Sequence, residues 1–429
     1  MPSPRELLRV LRHRDFRLLW SGQAASVVGD NIVTVALALF IVDLTGDATD
    51  LGIVLAAYSL PLIAFLLVGG VFADRLARHR VVVATDLVRF ALHALLALLI
   101  VSGEVRIWHI AVIGMLFGTA EAFFRPAATG LIPQTVPEDE IQEASAVMAT
   151  TNNVAEFAGP ALATALVLGV SPAAAFGLDA LTFLVSAALL IRVQPRRRME
   201  LGPEQAAASI WEDVRAGFAE VRSRAWIWAT LATFCVAIFF ALAPWFVLGP
   251  IVAREQYGRI GVYGVLSAAF GAGMVVGALA GIRWRPRYPM RQAMRLILLW
   301  PLSIGLYAAG LPLPVVVPAI AVSGAGVALF DVWWLTALAE RVPPDKLSRV
   351  TSYDWMVSLG LLPLGFILAG PAADALGAAN VLLGGAAVAF VALALGQLPR
   401  ETRMLERRSG DGEAVAPALA EPRPRVPVA

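Results

Sequence analysis

A few ionisable residues stand where water is scarce. Asp30, Glu121, Arg125 and Asp331 each fall near the middle of a long apolar run. A charge at bilayer depth costs about 2.5–3.5 kcal/mol on insertion scales, so such groups must face a partner or a water-filled cavity. Glu121 and Arg125 are four residues apart, share one helix face and can pair. Burial favours the neutral form of a carboxylate, and a neighbouring guanidinium favours the charged form. This set therefore has the chemistry to hold and release a proton, or to balance the charge of a small molecule. Trp333 and Trp334 lie beside Asp331 and offer flat apolar faces that suit a ring-bearing ligand. Asp86, Arg89, Glu156, Asp179 and Asp354 also interrupt apolar runs; for these the expectation is structural pairing or snorkelling.

Other chemistries find no support. Cys235 is the single cysteine, so there is no intramolecular disulfide and no cysteine-based zinc site. No Walker A loop, HExxH, GxSxG or convergent His/Cys set occurs. Neither an enzyme, a metal site, a cofactor nor a nucleic-acid partner is expected, and ATP would have to be hydrolysed by a separate subunit.

The elements that position these residues are membrane spans. Of 429 residues, 59% are hydrophobic and only 15% charged, with a mean hydropathy of +0.73. Soluble domains hold about 45–50% apolar and about 25% charged residues. Apolar runs long enough to cross a bilayer fall at about 18–43, 51–73, 81–102, 107–133, 144–169 and 173–192. After a polar stretch, six more follow at about 226–251, 261–282, 293–310, 313–338, 350–373 and 377–398. Gly159-Pro160 in the fifth run would break a soluble helix but is tolerated in a membrane. Basic residues alternate sharply between the two sides. One side holds the N-terminal arginines, Arg75, Arg78, Arg80, the Arg196–Arg198 run, the loop around Arg283–Arg295 and the tail; the other holds only Arg106, Arg254 and Arg259. The positive-inside rule then places both termini in the cytoplasm, and a bacterial inner membrane is the expected location.

The chain also repeats itself. At an offset near 206, Gly118 faces Gly324, Phe124 faces Phe330, and Val136-Pro137 faces Val342-Pro343. Two six-span halves related in this way place a ligand site at their interface. The expected fold is thus an all-α membrane protein of twelve transmembrane helices in two pseudo-symmetric halves. Residues 1–192 form the first half and 226–400 the second. Between them, 193–225 carries an amphipathic surface helix, with Ile210, Trp211, Val214, Phe218 and Val221 on one face. Residues 401–429 read as a disordered tail.

The loop from Gly70 to Arg80 reads GVFADRLARHR. It resembles the G-x-x-x-D-R-x-x-R-R signature of the major facilitator superfamily, matched at Gly70, Asp74, Arg75 and Arg78, with Ala77 and His79 as mild departures and Arg80 following. FRLLWSGQAASVVGDNI, FGTAEAFFRPAATGLIPQTVP and AGPALATAL resemble bacterial exporters of the enterobactin and macrolide efflux group. The resemblance implies alternating access in the major facilitator fold, with spans 1, 4, 7 and 10 lining a central cavity and spans 3, 6, 9 and 12 packed outside. It implies a gate at the signature loop. There, Asp74 faces the start of span 11 near Ser348, and Arg75, Arg78 and Arg80 pair with Glu138, Asp139 and Glu140. Export driven by protons, of a drug-like or siderophore-like molecule, by a monomer surrounded by lipid, is the function this implies. An uptake symporter is the alternative, on the thin ground of Asn31, Asn152 and Asn153; a non-transporting sensor or scaffold is a third.

Overall fold

The computed structural model describes residues 9–137, 140–195, 210–343 and 350–406, apart from 352, 355 and 357–359. All regular elements among them are helical. The first half runs α1 (Arg14–Thr45), α2 (Ala48–Arg75), α3 (Arg78–Ser102), α4 (Ile107–Leu131), α5 (Ile141–Gly169) and α6 (Pro172–Leu190). The connecting helix is α7 (Ile210–Ser223). In the second half are α8 (Ala225–Tyr257) and α9 (Gly261–Arg283), then α10 (Pro289–Leu296) and α11 (Leu299–Ala308), which share one span. α12 (Leu313–Arg341), α13 (Leu362–Leu376), α14 (Ala378–Leu395) and the short α15 (Arg400–Met404) complete it. Helices occupy all twelve expected places. Among the described residues, nine are by themselves long and apolar enough to span a membrane. Of the other places, the fifth is the 29-residue α5, the ninth is divided between α10 and α11, and the eleventh holds the 15-residue α13.

Local chemistry sets the helix ends. Gly46, Gly103, Gly258, Gly310 and Gly377 all have positive φ and end spans 1, 3, 7, 9 and 11 at the arginine-poor end. At Gly46, Gly103 and Gly258 the left-handed conformation closes the last turn without a Cβ penalty. Asp47 caps α2 by accepting from the Thr49 N–H at 2.7 Å, and Ser171 caps α6 ahead of Pro172.

The internal repeat reappears as packing. Gly118 of α4 lies against the Tyr58 carbonyl of α2, and its counterpart Gly324 of α12 lies against the Phe270 carbonyl of α9. Any side chain at either glycine would collide with that backbone, so these two helix pairs approach as closely as helices can. Within the first half, α1 packs on α5 and α6, and α3 on α4 and α6. Between the halves, α2 meets α13 and α5 meets α9. Gly52 lies against the Phe366 carbonyl, Gly370 against Thr49, and Gly264 against Thr164. The Arg254 guanidinium of α8 donates to the Val42 carbonyl of α1 at 2.9 Å. All of these contacts lie toward the arginine-poor end, which is therefore closed.

A helix, α7, stands in the stretch after residue 193 that was expected to be amphipathic. Val221 is buried, and the ring of Phe218 lies 6.1 Å from that of Tyr353. The side chains of Ile210, Trp211 and Val214 lie outside the described residues, as do residues 407–429.

Candidate functional site

The first half encloses a fully buried arginine. Arg89 of α3 has no exposed surface. It donates to the Glu121 carboxylate of α4 at 2.9 Å and to Asp86, one turn earlier on its own helix. Asp30 of α1 approaches the same guanidinium to 3.8 Å. Arg125 donates from the other side to Glu121 at 2.9 Å, so Glu121 bridges two cations. The Asp86 carboxylate accepts from the Ser186 hydroxyl of α6 at 2.6 Å. The Arg89 guanidinium also stands 3.7 Å from the ring centroid of Phe124 and 4.3 Å from that of Phe183, a cation–π arrangement that shields it from lipid. Burying a charge requires such pairing, although the Arg89 Nε has no hydrogen-bond partner among the described residues.

One side of the cluster opens to a cavity of about 750 Å³. Asp30, Glu121 and Arg125 line it, together with Tyr58, His93, Asn31, Asn152 and Glu156. Apolar walls come from Val54, Ile113, Phe117, Phe124 and Phe176. The side chains of Asp30 and Arg125 keep 30% and 44% of their surface, whereas Glu121 keeps only 9%. The charges are thus graded, from a sealed Arg89 and Asp86 to solvated Asp30 and Arg125. α5 is drawn against this wall by Gly159, where a side chain would strike Asn31; Pro160 leaves its carbonyl to the Thr164 hydroxyl at 2.8 Å.

Three of the expected site residues are brought together: Asp30, Glu121 and Arg125. Asp331 is on α12 of the other half, exposed, within electrostatic reach of Glu156 and Asp354. Trp333 and Trp334 do not line the cavity. They are 3% and 4% exposed, Trp333 edge-on to Trp284 at 5.0 Å and Trp334 edge-on to Trp226 at 5.5 Å. Trp334 also donates to Asp354 at 3.1 Å. The reason is geometric. Successive residues on a helix point about 100° apart, and with Asp331 turned toward Glu156 of the first half the two indoles face the core of their own half.

The signature loop is partly described. Arg78 donates to the Gly130 carbonyl at the end of α4 at 2.5 Å, where a helix C-terminus favours a cation. Arg75 and Arg80 are exposed, and Gly70 has open space where a Cβ would stand. The Asp74 side chain, Glu138, Asp139 and Ser348 lie outside the described residues. Glu140 is engaged by other partners than the loop arginines the sequence suggested. Arg12 donates to it at 2.5 Å, His13 meets it at 2.7 Å, and Arg9 stands 4.0 Å away. The N-terminal segment reaches this carboxylate because it folds back beneath α5.

Sequence reasoning expected structural pairing for Asp86 and Arg89, which they show, but did not place Arg89 at the centre of the cluster. Arg89 belongs to a helix expected to pack outside, and His93 was not singled out at all. Their spacing carried a signal: Asp86, Arg89 and His93 recur at three- and four-residue intervals on one face of α3. Asp179, Thr182 and Ser186 do the same on α6, and the two polar stripes face each other.

A charge cluster beside a cavity, between helices of a repeated bundle, has the form of a transport site. Residues 19–358 match the family described as Major Facilitator Superfamily. The chain belongs to that superfamily. It is therefore a multi-pass membrane transporter of small molecules and not an enzyme. Macrolide efflux protein A of Streptococcus pyogenes is 23% identical over 387 residues, spanning 88% of this chain and 94% of that protein. The multidrug efflux pump Tap of Mycolicibacterium fortuitum is 25% identical over 360 residues, spanning 81% and 87%. Among solved structures, the nucleoside transporter NupG superposes with a TM-score of 0.68 at 13% identity, covering 89% of this chain and 98% of that one. At that identity the likeness speaks to the major facilitator fold alone.

Proposed function

We propose that this chain is a proton-driven exporter of an amphipathic, drug-like small molecule, working as a monomer in a bacterial inner membrane with both termini in the cytoplasm. The observation that carries the reading is the graded cluster: Asp30 and Arg125 reach the cavity while Glu121 and Arg89 hold them from behind. Intramembrane charges of this kind are functional by default. A cavity of about 750 Å³ is in the range that encloses a drug-sized ligand, and its mix of aromatic walls with charged and amide groups suits an amphipathic one. The efflux relatives named above support export rather than uptake. With the arginine-rich end in the cytoplasm, the contacts between α2 and α13 and between α5 and α9 close the periplasmic side, so the cavity loads from within. In this reading Asp30 and Glu121 are the proton-coupling or substrate-balancing carboxylates and Arg125 is their counter-ion. Asp331 supplies an acidic group from the second half, and the Gly70–Arg80 loop, with Asp74, Arg75, Arg78 and Arg80, is the cytoplasmic gate. Residues 1–192 and 226–400 move as the two rocking bodies joined by 193–225.

The test is expression in an efflux-deficient host, with resistance and cellular accumulation followed over a panel that includes erythromycin and ethidium. Export should raise resistance, an uncoupler should abolish it, and Asp30→Asn should do the same while leaving the amount of protein in the membrane unchanged. Resistance that survives the uncoupler, or uptake of panel compounds in place of loss, would overturn the proposal.

A further inference from the structure

The cluster contains a pair that the reading above does not use. His93 lies one turn beyond Arg89 on α3, and its Nδ1 meets the Asp179 carboxylate of α6. Asp179 has no exposed surface, and the Thr182 hydroxyl lies 3.4 Å from its other oxygen. Gly29 of α1, adjacent to Asp30, is pressed directly onto it. His93 is different: its ring lines the cavity, stacked flat on Phe117 at 4.2 Å and edge-on to Phe176 at 5.8 Å. One partner is sealed and the other opens to the cavity. With Nδ1 committed to Asp179, Nε2 is the nitrogen left for exchange with water.

The surrounding charges do not balance. α1 supplies Asp30, α3 supplies Asp86 and Arg89, α4 supplies Glu121 and Arg125, α2 adds the Tyr58 hydroxyl, and α5 places Glu156 on the cavity wall. In the core of the cluster, three carboxylates face two guanidiniums, an excess of one negative charge. Asp179 with a neutral imidazole adds a second, and one proton on the pair removes it. An uncompensated charge at this depth is costly, which favours a proton on the pair while no cation occupies the cavity.

We infer that His93–Asp179 is the binding site of the coupled proton, separate from Asp30, Glu121 and Arg125, which take the substrate. This rests on the proton-driven reading above. A proton from cavity water bonds to Nε2 of His93, and the resulting imidazolium is held by Asp179. When a positively charged group enters beside Asp30, that N–H bond breaks and the proton returns to water, keeping the cluster's charge constant. Spans 3 and 6 thereby join the transport cycle.

Two measurements decide it. First, protein in lipid nanodiscs is titrated from alkaline to mildly acidic pH. The His93→Gln/Asp179→Asn double variant should take up one proton fewer than wild type, and an equal count overturns the inference. Second, proteoliposomes are loaded with radiolabelled erythromycin. In His93→Gln, accumulation driven by an imposed pH gradient should fall by about a hundredfold or more, the factor a missing proton-transfer group commonly costs. Erythromycin exchange without a gradient should persist, which also shows that the variant is folded; Asp179→Asn should behave alike. Exchange lost along with accumulation would place His93 in the substrate site and overturn the assignment. A wild type that responds to the gradient while both variants respond equally overturns only the dyad. A wild type that exchanges erythromycin but ignores the gradient overturns the proton-driven reading itself.

Discussion

Replacing Arg89 by Met removes one guanidinium and keeps most of its volume. Nothing compensates. Glu121 loses its 2.9 Å bond, Asp86 loses its cation, and Asp30 loses the charge 3.8 Å away. Removing one partner of a buried ion pair costs about 3–5 kcal/mol, because the other is left charged in a dry site. The lost contact with Phe124 and Phe183 adds roughly 0.5–2 kcal/mol. The first half should therefore lose about 3.5–7 kcal/mol, which at roughly 2–4 °C per kcal/mol for a body of this size lowers the melting temperature by about 7–28 °C. Tryptophan fluorescence of the purified protein in detergent, followed on heating, reads this directly. Adding Glu121→Gln should restore part of the loss, about 1–3 kcal/mol, since it removes the stranded charge and leaves Arg125 hydrated at the cavity. A single variant that melts within about 2 °C of wild type would refute the buried cluster. So would a double variant whose loss is the plain sum of the two single losses, since paired groups must couple.

Three further outcomes follow from the packing and the surface charges. Gly118→Leu should drive its side chain into the Tyr58 carbonyl and destabilise the first half by at least about 1–3 kcal/mol, read in the same melting assay; Gly70→Leu, with open space at its Cβ, should not. At Glu140, partial desolvation raises the carboxyl, but the His13 hydrogen bond and the Arg12 and Arg9 charges outweigh it and hold it below the ordinary carboxylate range. A depressed value stabilises the folded state at neutral pH and loses that contribution as pH falls through it. Hydrogen-exchange protection of the Val10–Arg12 turn, corrected for intrinsic rates, should thus exceed that of Glu140→Gln at neutral pH and converge with it in acid. At the other terminus, hydrogen bonds from Tyr288 and Arg287 at 3.1 Å hold Glu406 low in the same sense, and Arg341 donates to its carbonyl. Glu406→Gln should speed tryptic cleavage after Arg403 at neutral pH, with the difference from wild type fading in acid.

How much of this was legible in the sequence depends on the kind of signal. Span positions were legible because bilayer burial demands some twenty apolar residues in a row, and nothing else in the chain imitates that. The Gly118/Gly324 correspondence was legible because close helix approach admits no Cβ, which leaves an identity rather than a tendency. The Glu121–Arg125 pair was legible because it is local, four residues on one helix. Arg89 was harder. Its partners Glu121 and Asp30 are 32 and 59 positions away, and only the fold brings them together. The expectation that α3 packs outside also hid it, since a helix can face lipid on one side and carry a polar stripe on the other. Trp333 and Trp334 failed in the opposite way: adjacency to Asp331 in sequence suggested a shared surface, and helical geometry sent them elsewhere. Glu140 was misassigned because charge complementarity alone could not choose between the loop arginines and those of the N-terminal segment.

The two halves have diverged at matched positions, and the proposed cycle gives them different work. Phe124 and Phe330 correspond in the repeat. Phe124 lies beneath the Arg89 guanidinium at 3.7 Å, inside a network of charges. Phe330 stacks on Phe234 at 4.5 Å and on Trp334 at 6.2 Å, inside a wall of aromatic rings that continues through Trp226. The neighbouring pair, Arg125 and Asp331, is opposite in charge. Charge that is graded in exposure can be rearranged at small cost, because each carboxylate has a second partner within reach. An aromatic wall packed edge to face cannot, since sliding one ring opens a void against several others. In the proposed cycle the first half changes its proton and ligand state, and the second stays rigid while that change is converted into rocking about the α2–α13 and α5–α9 contacts. Glycines at those contacts, Gly52 and Gly370 on one and Gly264 on the other, let the surfaces approach closely and part without unlocking side chains.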